Sequence, residues 1–127
     1  MTPEMPAERR AASREYRESR RPAGIFCVRN TTNDKALVGS SADLPAMLNR
    51  QRAQLRFGAH PNRALQRDWS ELGADAFVFE VLDTLSPPDD PGPWNPGPDL
   101  AVLEALWLER LAPYGDRGYN DGPGPAA

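Results

Sequence analysis

The sequence of 127 residues predicts one domain of mixed α/β class, of the α+β type. Three observations predict it. Two apolar runs are joined by a short turn-forming segment, a third run alternates large apolar residues, and several stretches repeat apolar residues at helical spacing. A chain of this length buries one compact core and not two. The predicted order of elements is helix, strand, strand, helix, helix, strand, helix.

The first segment, residues 1–22, is rich in Ala, Glu and Arg and predicts a helical extension. It carries six Arg and four Glu, and its apolar residues are too few and too irregular to form a stripe that packs on a core. Pro22 is expected to end the helix. The segment is therefore predicted to be peripheral.

A hairpin is predicted next, because GIFCVRN (residues 24–30) and KALVGSS (residues 35–41) have strand character and TTND between them is rich in turn formers. Cys27 lies in the first of these strands and is the single cysteine of the chain. It cannot form an internal disulfide, and we interpret it as a small buried hydrophobic residue.

Two amphipathic helices and a third strand follow the hairpin. Ser41 or Asp43 can cap the first helix, which FGAHP closes. The second helix covers about residues 62–72 and ends at Gly73. AFVFEVLDTL then alternates large apolar residues and predicts the third strand.

The composition changes at residues 86–98, where prolines predict a long and partly stiff loop. Trp94 in this loop either covers the core of its own domain or serves a protein partner or a second copy of the chain. LAVLEALWLERL restores helical periodicity after the loop. Residues 122–127 are expected to form a disordered tail.

Charge is distributed unevenly along a chain whose net charge is −3. The span of residues 43–67 holds one acid and five Arg, a local charge of +4, whereas residues 83–127 hold eight acids and two Arg. A local basic patch favours a nucleic-acid contact on an otherwise mildly acidic protein. The candidate phosphate contacts are Lys35, Arg50, Arg52, Arg56, Arg63 and Arg67. For Arg50 and Arg52 the alternative is a solvated helix face.

Membrane insertion and secretion are not indicated. No apolar stretch approaches the roughly 18 residues of a membrane span, and the N-terminus carries charges where a signal peptide needs an apolar segment. We therefore expect a cytoplasmic protein without a membrane partner.

The order of elements and several motifs resemble the GIY-YIG nuclease family. GIF (residues 24–26) and LVG (residues 37–39) stand at its two signature tripeptides, and RNTTNDK resembles its hairpin. HPNRALQRDW, LEALWLERL and the pair Tyr119–Asn120 follow in the family's order. The resemblance covers residues 24–120 and implies a small three-stranded antiparallel sheet flanked by helices, here a domain of residues 23–121. The family spans repair, recombination, restriction and mobile-element nucleases, so DNA repair is one of several pathways it implies.

The resemblance also implies a site in which two Tyr hydroxyls and an Arg surround the scissile phosphate and a Glu binds one divalent metal, Mg²⁺. In this chain the positions of the two Tyr, the Arg and a His one turn later are Phe26, Leu37, Met47 and Gln51. Glu104, the expected metal ligand, and Asn120 are kept. The alternatives are that Glu104 is an ordinary exposed or salt-bridged residue of an amphipathic helix and that Asn120 caps or ties down the tail. Loss of one electrostatic stabiliser costs about 10²–10³ in rate, and loss of one general acid or base about 10²–10⁴.

Three hypotheses follow. The favoured one is a catalytically impaired domain that keeps the fold and binds DNA or a DNA-processing partner. The second is an active metal-dependent endonuclease with relocated residues, in which Arg50, one turn after Met47, or His60 or Lys35 acts with Glu104. His60 is otherwise read as a turn or cap residue. The third is a protein-interaction or oligomerisation module that uses residues 86–98 or the N-terminal helix.

Overall fold

The computed structural model describes residues 21–87, 89 and 92–122. The predicted N-terminal helix and most of the predicted tail lie outside these residues. The described part contains, in chain order, the strands and helices β1 (Gly24–Asn30), β2 (Ala36–Ser41), α1 (Leu44–Arg56), α2 (Arg63–Leu72), β3 (Phe77–Thr84) and α3 (Gly97–Leu111). They form an antiparallel sheet of three strands flanked by three helices, so the predicted α+β fold is confirmed.

The sheet has the order β2-β1-β3, and the central strand β1 pairs antiparallel with both neighbours. Alternate side chains of β1 enter two separate cores. Phe26 and Val28 pack on the face covered by α1 and α2, whereas Ile25 and Cys27 pack on the face covered by α3. This double burial explains why β1 reads as a nearly continuous apolar run. Burial raises the pKa of Cys27 to about 11, which agrees with an unreactive core thiol.

Side-chain caps fix where α1 and α2 begin. Of the two predicted caps of α1, Asp43 is the one that acts: its Oδ1 accepts the backbone N–H of Ala46 at 3.1 Å. Asn62 caps α2 in the same way by accepting the N–H of Leu65 at 3.0 Å. Gly73 ends α2 with a φ of 89°, as the sequence predicted.

α3 begins at Gly97, earlier than predicted from the sequence. The proline-rich segment was expected to contain no helix, but Pro98 lies in the first turn of α3, where a backbone N–H has no helical acceptor to lose. Trp94, just before this turn, is half-buried. No helix of the described residues is long and apolar enough to cross a membrane.

The outer edge of β2 is covered by residues 118–120, which we call the C-terminal strap. Gly118 forms a parallel bridge with Ala36, and the N–H of Tyr119 donates to the carbonyl of Ala36 at 2.8 Å. The Asn120 side chain accepts the N–H of Val38 at 2.9 Å and donates to its carbonyl at 2.8 Å. The strap thus satisfies backbone groups that an open sheet edge would expose.

Candidate functional site

An open cleft of about 520 Å³ lies beside β2, α1 and the start of α2; we call it the His60 cleft. It brings together Leu37, Gln51 and His60, three of the positions singled out in the sequence. The remaining lining residues are Pro61, Asn62, Arg63, Ala64, Tyr119 and Asp121. The cleft therefore brings these three positions together with Arg63, one of the predicted phosphate contacts.

The imidazole of His60 has both nitrogens engaged. Its Nδ1 accepts the backbone N–H of Asn62 at 3.0 Å, and its Nε2 lies 2.6 Å from Oε1 of Gln51. Because the Asn62 N–H is only a donor, this network assigns the ring proton to Nε2, which donates to Gln51. His60 is only 7% exposed, and burial lowers its pKa. The ring is therefore held neutral with no lone pair open to the cleft.

The polar chain continues from Gln51 into the core. Nε2 of Gln51 donates to Sδ of Met47 at 3.4 Å, and Met47 packs against the core on the α1 face of the sheet. Met47, Gln51 and His60 form one connected and uncharged set. At the first two positions the resemblance implies an Arg and a His, so the charge expected there is absent.

Phe26 and Leu37 occupy the two tyrosine positions, and of these two side chains Leu37 is the one that lines the His60 cleft. Phe26 is 4% exposed and pairs with Gly39 across the β1–β2 register. A Cβ at Gly39 would lie 2.8 Å from Cζ of Phe26, so glycine is needed to let the ring approach the strand. Leu37 packs on the same core and lines the cleft. Neither side chain brings a hydroxyl group to the cleft.

Glu104 lies on α3, where its Oε1 accepts the hydroxyl of Ser40 at 2.7 Å. Ser40 follows Val38 by two residues, so strand alternation places it on the α3 face of the sheet, opposite to the face of Leu37. Glu104 is not among the residues that line the His60 cleft. Arg50 is also outside this lining and has an exposed side chain on α1.

The described residues contain no group of three or more His, Cys, Asp or Glu side chains placed to hold a metal ion. Mg²⁺ in phosphate-processing sites needs less than that, because one or two carboxylates together with water and substrate phosphates complete its coordination. Glu104 meets this minimum, since its hydrogen bond to Ser40 uses only Oε1. It is the residue that could hold Mg²⁺.

The hydroxyl of Tyr119 joins the strap to the sheet and to α2. It accepts from Nδ2 of the fully buried Asn30 at 3.0 Å and donates to Oδ2 of Asp68 at 2.7 Å. Burial raises the pKa of Tyr119 to about 12. Sequence reasoning missed this network because Asn30 and Asp68 precede Tyr119 by 89 and 51 residues, respectively. One signal was present in the sequence: a polar residue, Asn30, ends an otherwise apolar strand, and a buried polar side chain needs a hydrogen-bond partner.

The predicted phosphate contacts divide into two groups. Arg52 and Lys35 are half-buried: the Arg52 guanidinium lies 4.4 Å from the ring centroid of Phe79, and Nζ of Lys35 lies 5.8 Å from that of Tyr119. The exposed group consists of Arg50, Arg56, Arg63 and Arg67. Of these, Arg63 and Arg67 line a second cleft of about 490 Å³ that begins at Gly58 and shares His60 with the first.

Two solved structures of a catalytic domain are similar to this chain. The catalytic domain of the homing endonuclease I-TevI shares 28% sequence identity over 77% of this chain and 96% of its own, with a TM-score of 0.63. A mutant form of the catalytic domain of the intron endonuclease I-TevI shares 26% identity over 78% of this chain and 92% of its own, also with a TM-score of 0.63. No family model and no curated protein matches the chain. The I-TevI domain is a GIY-YIG domain, and the chain has a GIY-YIG-like fold.

Proposed function

We propose that this GIY-YIG-like domain binds DNA and cleaves it poorly or not at all. One observation carries the proposal: Phe26, Leu37 and Met47 place apolar side chains where the resemblance implies two hydroxyls and a guanidinium. Hydrolysis of a phosphodiester needs a base that activates water and positive charge beside the pentavalent phosphate. These three side chains supply neither.

Two of the remaining candidate residues, His60 and Glu104, do not compensate at the same place. His60 would act as a base through Nδ1, which already accepts the Asn62 N–H. Glu104 would hold Mg²⁺, which when bound supplies a Lewis acid for a phosphate oxygen. Its carboxylate, however, contacts Ser40 on the α3 face of the sheet, whereas His60 lies in the cleft beside α1 and α2.

DNA binding is supported by the likeness to endonuclease domains and by the exposed arginines of α1 and α2. Guanidinium groups bind phosphates in a bidentate manner and keep their charge at all physiological pH values. Arg63 and Arg67 are one helical turn apart and line the same cleft, which suits contacts with neighbouring phosphates.

An active endonuclease with relocated residues is the alternative. Its specific support is Glu104, because the Ser40 hydroxyl orients one carboxylate oxygen and leaves the second for a metal ion. It needs a cation at the reacting phosphate, and Arg50 or Lys35 would have to supply it.

The test is a cleavage assay of the purified protein with Mg²⁺ or Mn²⁺ on single-stranded, duplex and branched DNA, with binding measured in parallel at two salt concentrations. We expect binding that weakens as salt rises and no cleavage above the protein-free control. Cleavage that is lost in Glu104→Ala but kept in Glu109→Ala, a matched change on the same helix, would contradict the proposal. Loss in Arg50→Ala as well would establish the alternative.

A further inference from the structure

We infer that Phe57 is a stacking platform for an unpaired base of single-stranded DNA. The inference rests on the proposed DNA binding and names the form of DNA that this surface takes. Phe57 is the C-cap of α1 and is 84% exposed, the most exposed of the large hydrophobic side chains in the described part of the chain. Its ring belongs to neither core of the described residues, so packing within that part of the fold does not account for an aromatic residue here.

The backbone beneath Phe57 is held from both helices. The N–H groups of residues 57–59 donate to carbonyls of α1 at 2.8–3.2 Å. From α2, Gln66 donates its Nε2 to the Leu55 carbonyl at 3.1 Å and accepts the His60 N–H at 3.0 Å. An aromatic side chain on a fixed turn loses little conformational entropy when it binds, which is what a stacking contact requires.

Cationic residues lie close to Phe57 along the chain. The exposed Arg56 precedes it, and the cleft lined by Arg63 and Arg67 begins at the next residue, Gly58. Proteins that bind single strands combine a positively charged groove for the phosphates with aromatic rings on which bases stack. In a duplex the base faces are already covered, so an exposed ring gains nothing there by stacking. The combination therefore favours a single strand over a duplex.

A protein interface is the weaker explanation of the exposed ring. The core of a protein–protein interface joins several apolar side chains and excludes charge. Phe57 is the only large hydrophobic residue in the segment RFGAHPNR (residues 56–63), and Arg56 and Arg63 bound that segment. A single exposed ring in a segment bounded by arginines suits a nucleobase and its phosphates better than an apolar protein surface.

The experiment measures the affinity of the full chain for a fluorescent single-stranded 20-mer and for the corresponding duplex by anisotropy. We expect Phe57→Ala to weaken single-strand binding by about 5-fold to 150-fold, the range for loss of one stacked base, with a change of less than about twofold on the duplex. Phe57→Trp should keep the affinity, whereas Phe57→Leu, which retains apolar volume without a ring, should lose it. Val102→Ala removes a side chain of α3 that is 63% exposed and is the matched control.

The outcomes separate this inference from the proposed function. If the wild-type protein binds DNA but Phe57→Ala and Phe57→Leu bind the single strand equally well, the inference is overturned and DNA binding stands. An equal loss on the duplex also overturns it. If no form of DNA binds, both fall. Because Phe57 is exposed, the melting temperature of each variant should match that of the wild type. A change in affinity then results from the lost side chain and not from unfolding.

Discussion

At the scale of single residues, His60 decides what the cleft can do. A histidine in a cleft is the usual candidate for a general base at neutral pH. Here the backbone N–H of Asn62 and the side-chain oxygen Oε1 of Gln51 bond to its two nitrogens. Burial lowers the pKa of His60 and so disfavours the imidazolium form. Through these contacts His60 links α1 to the start of α2, and neither ring nitrogen is left without a hydrogen-bond partner.

This link predicts how stability depends on pH. The folded-state pKa of His60 lies below its unfolded value of about 6.5, so the unfolded chain takes up a proton first. The free energy of unfolding should therefore be level from about pH 8 to 7 and fall as the pH drops below about 6.5, by no more than about 1.4 kcal/mol per pH unit. Urea denaturation at several pH values measures it.

The control is His60→Gln, whose amide can still donate to Gln51 but does not titrate. His60 is the single histidine of the chain, so no other side chain has an ordinary pKa in this window. The slope between pH 7 and 6 should vanish in the variant. Identical slopes in the two proteins would show that His60 is not the group responsible.

At the scale of elements, the C-terminal strap completes the sheet. β2 is an edge strand, and without residues 118–120 its outer backbone groups would be open to another chain. Asn120 imitates a strand partner, because its amide both accepts from and donates to Val38. The family resemblance places Asn120 in the active site, but in this chain its side chain has a structural role at the edge of the sheet.

Asn120→Ala should lower the free energy of unfolding by about 1–3 kcal/mol, since it removes two hydrogen bonds and leaves the Val38 N–H without its acceptor. Asn120→Asp should cost less, because a carboxylate still accepts from Val38. Chemical denaturation of both variants, beside Asp121→Ala at the exposed neighbouring position, tests this order. Equal stability of Asn120→Ala and the wild type would mean that the hydrogen bonds of the Asn120 side chain contribute nothing to stability.

The sequence predicted elements whose signals are local and missed contacts that are not. The apolar run of β1 and the caps at Asp43 and Gly73 lie within a few residues of the structure they determine, and each was found. The strap has no periodicity, and its pairing with β2 depends on residues 82 positions away. The early start of α3 differs from the prediction because proline breaks a helix in its interior but is tolerated in the first turn.

For the candidate site, the sequence predicted which residues to compare but not how their side chains pair. The resemblance identified which positions to compare, and Leu37, Gln51 and His60 do meet in one cleft. The resemblance could not show that Gln51 and His60 bond to each other, or that Glu104 lies on the other face of the sheet. Those facts come from side-chain packing, which no spacing rule encodes.

At the scale of the whole molecule, the sheet separates two charge environments. α1 carries three Arg and no acid, whereas α3 carries three acids and one Arg. The two helices pack on opposite faces of the sheet. Under the proposed function, this asymmetry should attract a polyanion to the face of α1 and repel it from the face of α3, although the net charge of the chain is −3.

This asymmetry predicts which arginines govern DNA affinity. Each phosphate contact that is removed should reduce the slope of log K against log salt by about 0.7 for a single strand, because fewer counterions are released. Arg67→Gln on α2 should therefore weaken binding and flatten the slope, and adding Arg63→Gln should flatten it further. Arg110→Gln changes charge equally on α3 and should leave both unchanged. If Arg110→Gln flattened the slope as much as Arg67→Gln, attraction would depend on total charge, and the α1 and α2 face would not be the DNA surface.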